Sequence, residues 1–129
     1  MSYYFSKVLT NKNIEQATDY VIGEMKKEGF GVLSQIDVKT TLKNKIDAEI
    51  KPYIILGACH PQFAYEALTH ETRIGTMLPC NFIIQELESG EIEVSAVDPI
   101  SSMSSVKNPK LGKVAQAVQQ KIKNIIDNL

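Results

Sequence analysis

Apolar residues along the chain recur at two spacings, and the changes between them mark out strands and helices. Tyr3 to Leu9 is aromatic and β-branched enough for a first strand. Asn13 then reads as a helix N-cap with Gln16 as its capping-box partner. Ile14, Ala17, Val21 and Met25 form an apolar stripe behind it, and Gly29 ends that helix as a C′ residue in a left-handed conformation would. Phe30 to Asp37 is a second strand, and Val38, Leu42 and Ile46 fit a short amphipathic helix. Pro52 leads into a third strand, Tyr53 to Cys59, which is apolar on both faces and so belongs inside a sheet.

Pro61 suits the first turn of a helix with His60 just outside it, and Phe63, Ala64, Ala67 and Leu68 are its expected buried side. Pro79 opens a fourth strand, Cys80 to Leu87, and Ser89-Gly90 is a hairpin turn. In the fifth strand Ile92, Val94 and Ala96 alternate with outward Glu91, Glu93 and Ser95, and Asp98-Pro99 terminates it. Ile100 to Lys107 reads as a loop or frayed turn. Asn108-Pro109 is expected to be cap and first residue of a long helix with the stripe Leu111, Val114, Ala115, Val118, Ile122, Ile125, Ile126 and Leu129. The order β-α-β-β-β-β-α, with short helices before the third and fourth strands, predicts an α+β fold. It is a mostly antiparallel sheet with helices packed on one face.

Composition narrows the function classes. A length of 129 residues points to one domain spanning 1–129. The 14 Lys+Arg against 15 Asp+Glu remove the broad electrostatic reason to expect nucleic acid or an anionic membrane as partner. Arg73 is the only arginine, so bidentate phosphate recognition is poorly supplied. The N-terminus lacks the pattern of a signal peptide, and no apolar run approaches the ~20 residues of a membrane span. The expected location is the cytoplasm, where Cys59 and Cys80 would be free or functional thiols rather than a staple.

Topology then gathers the unusual residues. If strands two to five form an antiparallel meander, one end of the sheet collects Phe30 and Gly31, Cys59 and His60, Cys80 and Asn81, and Asp98. The N-terminus of the helix after His60 adds free N–H donors and a partial positive charge, which favours a thiolate at Cys59. Each residue also has a plainer role: cysteine as a small core residue, His60 as a solvated cap, Asp98-Pro99 as a turn, Asn81 as a loop partner, and His70 as a cation at a helix C-terminus. Two thiolates and an imidazole suit a soft metal, with Cys59, Cys80 and His60 as ligands. Against that, no CxxC is present, and neighbouring Cys59 and His60 point apart on an alternating strand. A two-thiol redox pair needs Cα atoms within ~7 Å. No Gly-x-Ser-x-Gly or glycine-rich phosphate motif occurs.

At these residues the chain resembles the domain of unknown function 302 family. The carriers are Glu28-Gly29-Phe30-Gly31-Val32-Leu33 with Ile36-Asp37-Val38, then Leu56-Gly57-Ala58-Cys59-His60-Pro61, Leu78-Pro79-Cys80-Asn81 and Val97-Asp98-Pro99. The resemblance runs from about Ser6 to Leu129, and His60 stands where the family commonly has Asn. It implies a β-α-β(4)-α domain similar to a half repeat of the TATA-binding protein, and a homodimer. It implies neither DNA binding nor any activity.

Three functions follow as expectations. The first is binding of a small molecule or soft metal ion by Cys59, His60, Cys80, Asn81 and Asp98, with Phe30 and Gly31 beside them. The second is a thiol enzyme or redox protein using Cys59 and Cys80. The third is an interaction module that dimerises through the exposed side of the sheet. Binding ranks first because no acid–base set accompanies the thiols; no particular cofactor is implied.

Overall fold

The structure, a computed structural model, describes residues 2–129. Its elements run β1 (Tyr4–Leu9), α1 (Ile14–Lys27), β2 (Gly31–Asp37), α2 (Val38–Ile46), β3 (Tyr53–Cys59), α3 (Pro61–His70), a 3-10 segment (Thr72–Met77), β4 (Cys80–Glu86), β5 (Ile92–Val97), α4 (Pro99–Ser102) and α5 (Leu111–Asp127). The strands form one antiparallel sheet in the order β1-β5-β4-β3-β2. The expected meander is therefore present, with β1 returning alongside β5. The α+β architecture with helices over one face is the observed one.

Capping chemistry explains the helix boundaries. Asn13 Oδ1 accepts from the Gln16 N–H at 2.8 Å, and Gln16 Oε1 accepts from the Asn13 N–H at 3.0 Å. Both donors would otherwise be orphaned in the first turn. At the other end of α1, Phe30 N–H donates to Met25 O and Gly29 N–H to Lys26 O. This is a Schellman closure, and Gly29 takes the left-handed φ of +84° that it requires.

Alternation along the strands builds the core. Leu56, Phe82, Ile84, Ile92 and Val94 point to the helix side and are fully buried against Val21 and Met25 of α1 and Ile122 and Ile125 of α5. Taking this apolar surface out of water is what drives the packing of helices on sheet. β3 is an interior strand between β2 and β4, which accounts for its apolar residues on both faces.

Four local expectations need correction. Ile100 to Ser102 is not loop: with Pro99 it forms the one-turn α4, because Asp98 Oδ1 caps it by accepting from the Ile100 N–H at 3.0 Å. Asn108-Pro109 is not the first turn of α5, which starts at Leu111; Asn108 Oδ1 instead accepts from the Lys110 N–H, and Nδ2 donates to the His70 carbonyl. That tie between α3 and the chain before α5 holds Asn108 outside the helix. Ser95 lies on the outer face yet is buried, because it is short and flanked by β1 and β4. In α2 the apolar stripe is not buried: Ile46 is exposed and Val38 and Leu42 are only half-buried. Asp37 nevertheless caps α2 by accepting from the Thr40 N–H.

Candidate functional site

The strand register fixes where the two cysteines stand. Ala58 of β3 faces Cys80 of β4, and Cys59 faces Gly31 of β2. Both thiols therefore lie at one end of the sheet, as the meander requires. They are one position out of register, so their side chains leave the sheet in opposite directions. Both cysteines are free. Cys80 is buried on the helix side, and burial followed by the neighbouring Cys59 pushes its thiol up to about 11. A neutral buried thiol behaves as a small apolar residue rather than a nucleophile.

Beside this corner, between α3, α5 and the end of the sheet, lies a cavity of about 270 Å³. Its walls are apolar: Phe30 and Leu33 from β2 and its approach, Phe63, Ala64, Ala67 and Leu68 from α3, Leu78 and Pro79 before β4, and Met103, Val114 and Val118 from the C-terminal part. Ala58, Cys59, His60 and Cys80 also border it. The face of α3 expected to be core thus becomes a cavity wall. Ala67 is buried, Phe63 and Ala64 are half-buried, and Leu68 stays exposed because no neighbouring side chain fills the space beneath it.

His60 is the polar feature of this wall. Its ring lies 4.4 Å from that of Phe63 and edge-on to that of Phe30 at 5.4 Å. It is the N-cap residue of α3, as expected, but its side chain makes no cap hydrogen bond and packs against the two phenylalanines. Its Nδ1 is buried with no hydrogen-bond partner. Burial, and then the positive charge of Lys121, hold the imidazole below its ordinary pKa, so the neutral ring is favoured. Room for the ring comes from Gly29, where a Cβ would stand 2.8 Å from His60 Nε2.

The other candidates lie elsewhere. Asn81 is exposed on the open face of the sheet, opposite Gly57, in a separate hollow with Tyr3, Tyr4 and Tyr53. Asp98 caps α4, and its Oδ1 also accepts from Gln119 Nε2 at 3.1 Å, so its carboxylate is engaged in holding α4 to α5. Gly31 is exposed opposite Cys59 and does not line the cavity. His70 ends α3, as expected. The structure therefore brings together Phe30, Cys59, His60 and Cys80, and leaves Asn81, Asp98 and Gly31 outside. Among the described residues, no three His, Cys, Asp or Glu side chains are gathered as a metal ion needs.

Residues 5–129 match the domain of unknown function DUF302. The chain belongs to the DUF302 family. Its fold is also that of a solved relative, the crystal structure of an uncharacterized conserved DUF302 protein from Bacillus stearothermophilus. The two share 23% sequence identity, with a TM-score of 0.91 and 98% of each chain covered. Among curated proteins nothing matches. Among the described residues of this DUF302 domain, no helix is long and apolar enough to cross a membrane.

The cavity walls that sequence reasoning missed are Leu33, Leu78, Met103, Val114 and Val118. Val114 and Val118 carry the same periodic signal as any core position. Leu33 stands at a break in the β2–β3 register between Val32 and Ser34, which no spacing in the sequence announces.

Proposed function

We propose that this DUF302 domain binds a small, mostly apolar molecule in the cavity between α3, α5 and the sheet end. One observation carries the reading: a cavity of about 270 Å³ is walled by apolar side chains, with the residue His60 on its border. Ligand pockets combine apolar walls with a few placed polar groups. An apolar cavity of ~150 Å³ holds benzene, so this one has room for a single substituted ring. A soft-metal reading is less well supported, since Cys59 and Cys80 diverge and, among the described residues, no third ligand joins them. A thiol-redox reading is less well supported for the same divergence and for the raised pKa of Cys80.

The test uses toluene as probe, with thermal unfolding as readout. Toluene is expected to raise the Tm of the wild-type domain in a concentration-dependent way, as any ligand of the folded state does. Ala64→Leu, which extends a side chain into the cavity, is expected to remove the effect. An unchanged wild-type Tm at saturating toluene would defeat the proposal.

A second reading, a homodimer, has its own support. Among the described residues no helix lies over the open face of the sheet, which carries Tyr4, Val8 and Ile36, each exposed, and a hollow that includes Tyr53 and Ile83. A second copy of the chain covering this face would bury that apolar surface. Sedimentation that stays monomeric over a wide concentration range would refute it.

A further inference from the structure

We propose that the ligand of this cavity is a monocarboxylate with an elongated apolar tail, the tail lying between α3 and α5 and the carboxylate beside Lys121. The inference rests on the cavity-binding reading and specifies its ligand.

Three observations lead to it. The first is direction. Asn108, just before α5, donates from Nδ2 to the carbonyl of His70 at the end of α3, at 2.9 Å. Beyond the other end of α3, the ring of His60 feels the charge of Lys121, late in α5. The two helices therefore run antiparallel, with Phe63 and Ala67 of α3 and Val118 and Val114 of α5 walling the cavity along their seam. From His60 to Ala67 this wall is ~10 Å long at the helical rise per residue, which suits a tail. The second is where charge can stand. Among the described residues, no Lys, Arg, Asp or Glu borders the cavity itself, so a charged group is tolerated only at an end. The third is an uncommitted cation at the His60 end. Among the described residues, Lys121 forms no ion pair. The carboxylate of Glu28, at the end of α1, instead accepts from Asn124 Nδ2 at 3.2 Å. Lys121 is half-buried, so its stem lies along the protein while its ammonium stays in reach of water.

A carboxylate meets these conditions better than other heads. An ammonium would meet Lys121 as a like charge. A doubly charged phosphate would bring more charge than one lysine offsets. A neutral amide or hydroxyl would gain little from the cation. One carboxylate matches one ammonium, accepts a charge-assisted hydrogen bond from it, and keeps its other oxygen hydrated. His60 takes part as wall: its neutral ring packs with Phe30 and Phe63 at the end of the tail's path, and no ligand atom needs its buried nitrogen.

The experiment is isothermal titration of the full chain at pH 8 with 3-phenylpropionate, 3-phenylpropionamide and 3-phenylpropylamine, repeated on Lys121→Met. These probes share a tail and differ in the charge of the head. Wild type is expected to bind the carboxylate about threefold tighter than the amide, the size of one half-exposed ion pair, and the amine weakest. Lys121→Met keeps an apolar stem without the charge, and in it the carboxylate is expected to lose its advantage while amide affinity holds. High salt should erase the same advantage in wild type, because the pair stands in reach of water. Amide and carboxylate binding equally in wild type at low salt would overturn this inference while leaving the apolar cavity reading intact. The amine binding tightest would overturn it and point to a carboxylate at that end. A carboxylate preference that survives in Lys121→Met would overturn it by placing the head elsewhere. Binding of none of the three would defeat the cavity reading as well. The wild-type ranking and its salt dependence decide the question even if Lys121→Met fails to fold.

Discussion

The imidazole of His60 stands where a side chain on Gly29 would begin: a Cβ at Gly29 would lie 2.8 Å from Nε2. Gly29 closes α1 with a φ of +84°, and the same missing Cβ admits the ring that walls the cavity. One glycine thus links a helix terminus to the candidate site. Gly29→Ala is expected to destabilise the domain by about 1–2 kcal/mol, from the left-handed backbone and the contact together. In a His60→Ala background the same change should cost less, because the contact is gone and only the backbone cost remains. A double-mutant cycle by urea unfolding measures this, with a coupling of at least ~0.5 kcal/mol expected. Additive effects would mean that the ring does not depend on the glycine.

His60 also predicts a pH dependence. Burial and Lys121 lower its pKa in the folded state from an ordinary 6.5. The unfolded chain therefore binds a proton at a pH where the folded domain does not, and folding stability falls as pH drops below about 6.5. Thermal unfolding between pH 8 and pH 5 should show wild type losing more stability than His60→Leu over this window. Parallel curves for the two would show that the folded ring titrates freely.

The two cysteines are expected to differ sharply in reactivity. Cys80 is buried with its pKa pushed up to about 11, whereas Cys59 is half-buried at the strand end. Alkylation with iodoacetamide at pH 8 should modify Cys59 first, and Cys80 only on unfolding. Mass spectrometry of the digested protein reads both sites separately. The Cys80 thiol stabilises the fold below pH 9 and loses this contribution as pH rises from 9.0 towards 11, because the folded state keeps the proton longer. Rapid labelling of Cys80 in the native protein would contradict its burial.

The architecture was largely legible in the sequence, and the site only in part. Helix α1 was written in its ends: the Asn13–Gln16 capping box and Gly29 at C′ are local chemistry, independent of the rest of the chain. The strand order followed from consecutive strands pairing, so the collection of Cys59, His60 and Cys80 at one sheet end could be foreseen. Side-chain direction could not. A single position of register decides whether Cys59 meets Cys80, and the proline before Cys80 did not reveal it. Asp98 and Asn108 carried the right cap chemistry, but which N–H each satisfies depends on contacts with α5 and α3 that are distant in sequence. Nor does spacing distinguish a core face from a cavity wall. Phe63, Ala64, Ala67 and Leu68 have the helical period of buried residues, and the void appears only when α3 is set against α5 and the sheet.

Asp98 is expected to act in stability rather than in binding. Its Oδ1 accepts from the Ile100 N–H and from Gln119 Nε2. Asp98→Ala removes an N-cap and leaves Gln119 without that acceptor, at a cost of about 1 kcal/mol, or roughly 4 °C in Tm for a domain of this size. Toluene affinity should be unchanged. A loss of affinity with unchanged Tm would place Asp98 in the binding site instead.

The central claim is that the space between α3, α5 and the sheet end receives a small apolar molecule. Its most direct test is an NMR titration of the isotopically labelled domain with toluene, following methyl and backbone amide signals residue by residue. The account predicts saturable shifts centred on Leu33, Ala64, Leu68, Leu78, Met103 and Val118, with Tyr4, Val8 and Ile83 on the open sheet face unmoved. An absence of saturable shifts, or shifts confined to the open face, would contradict it.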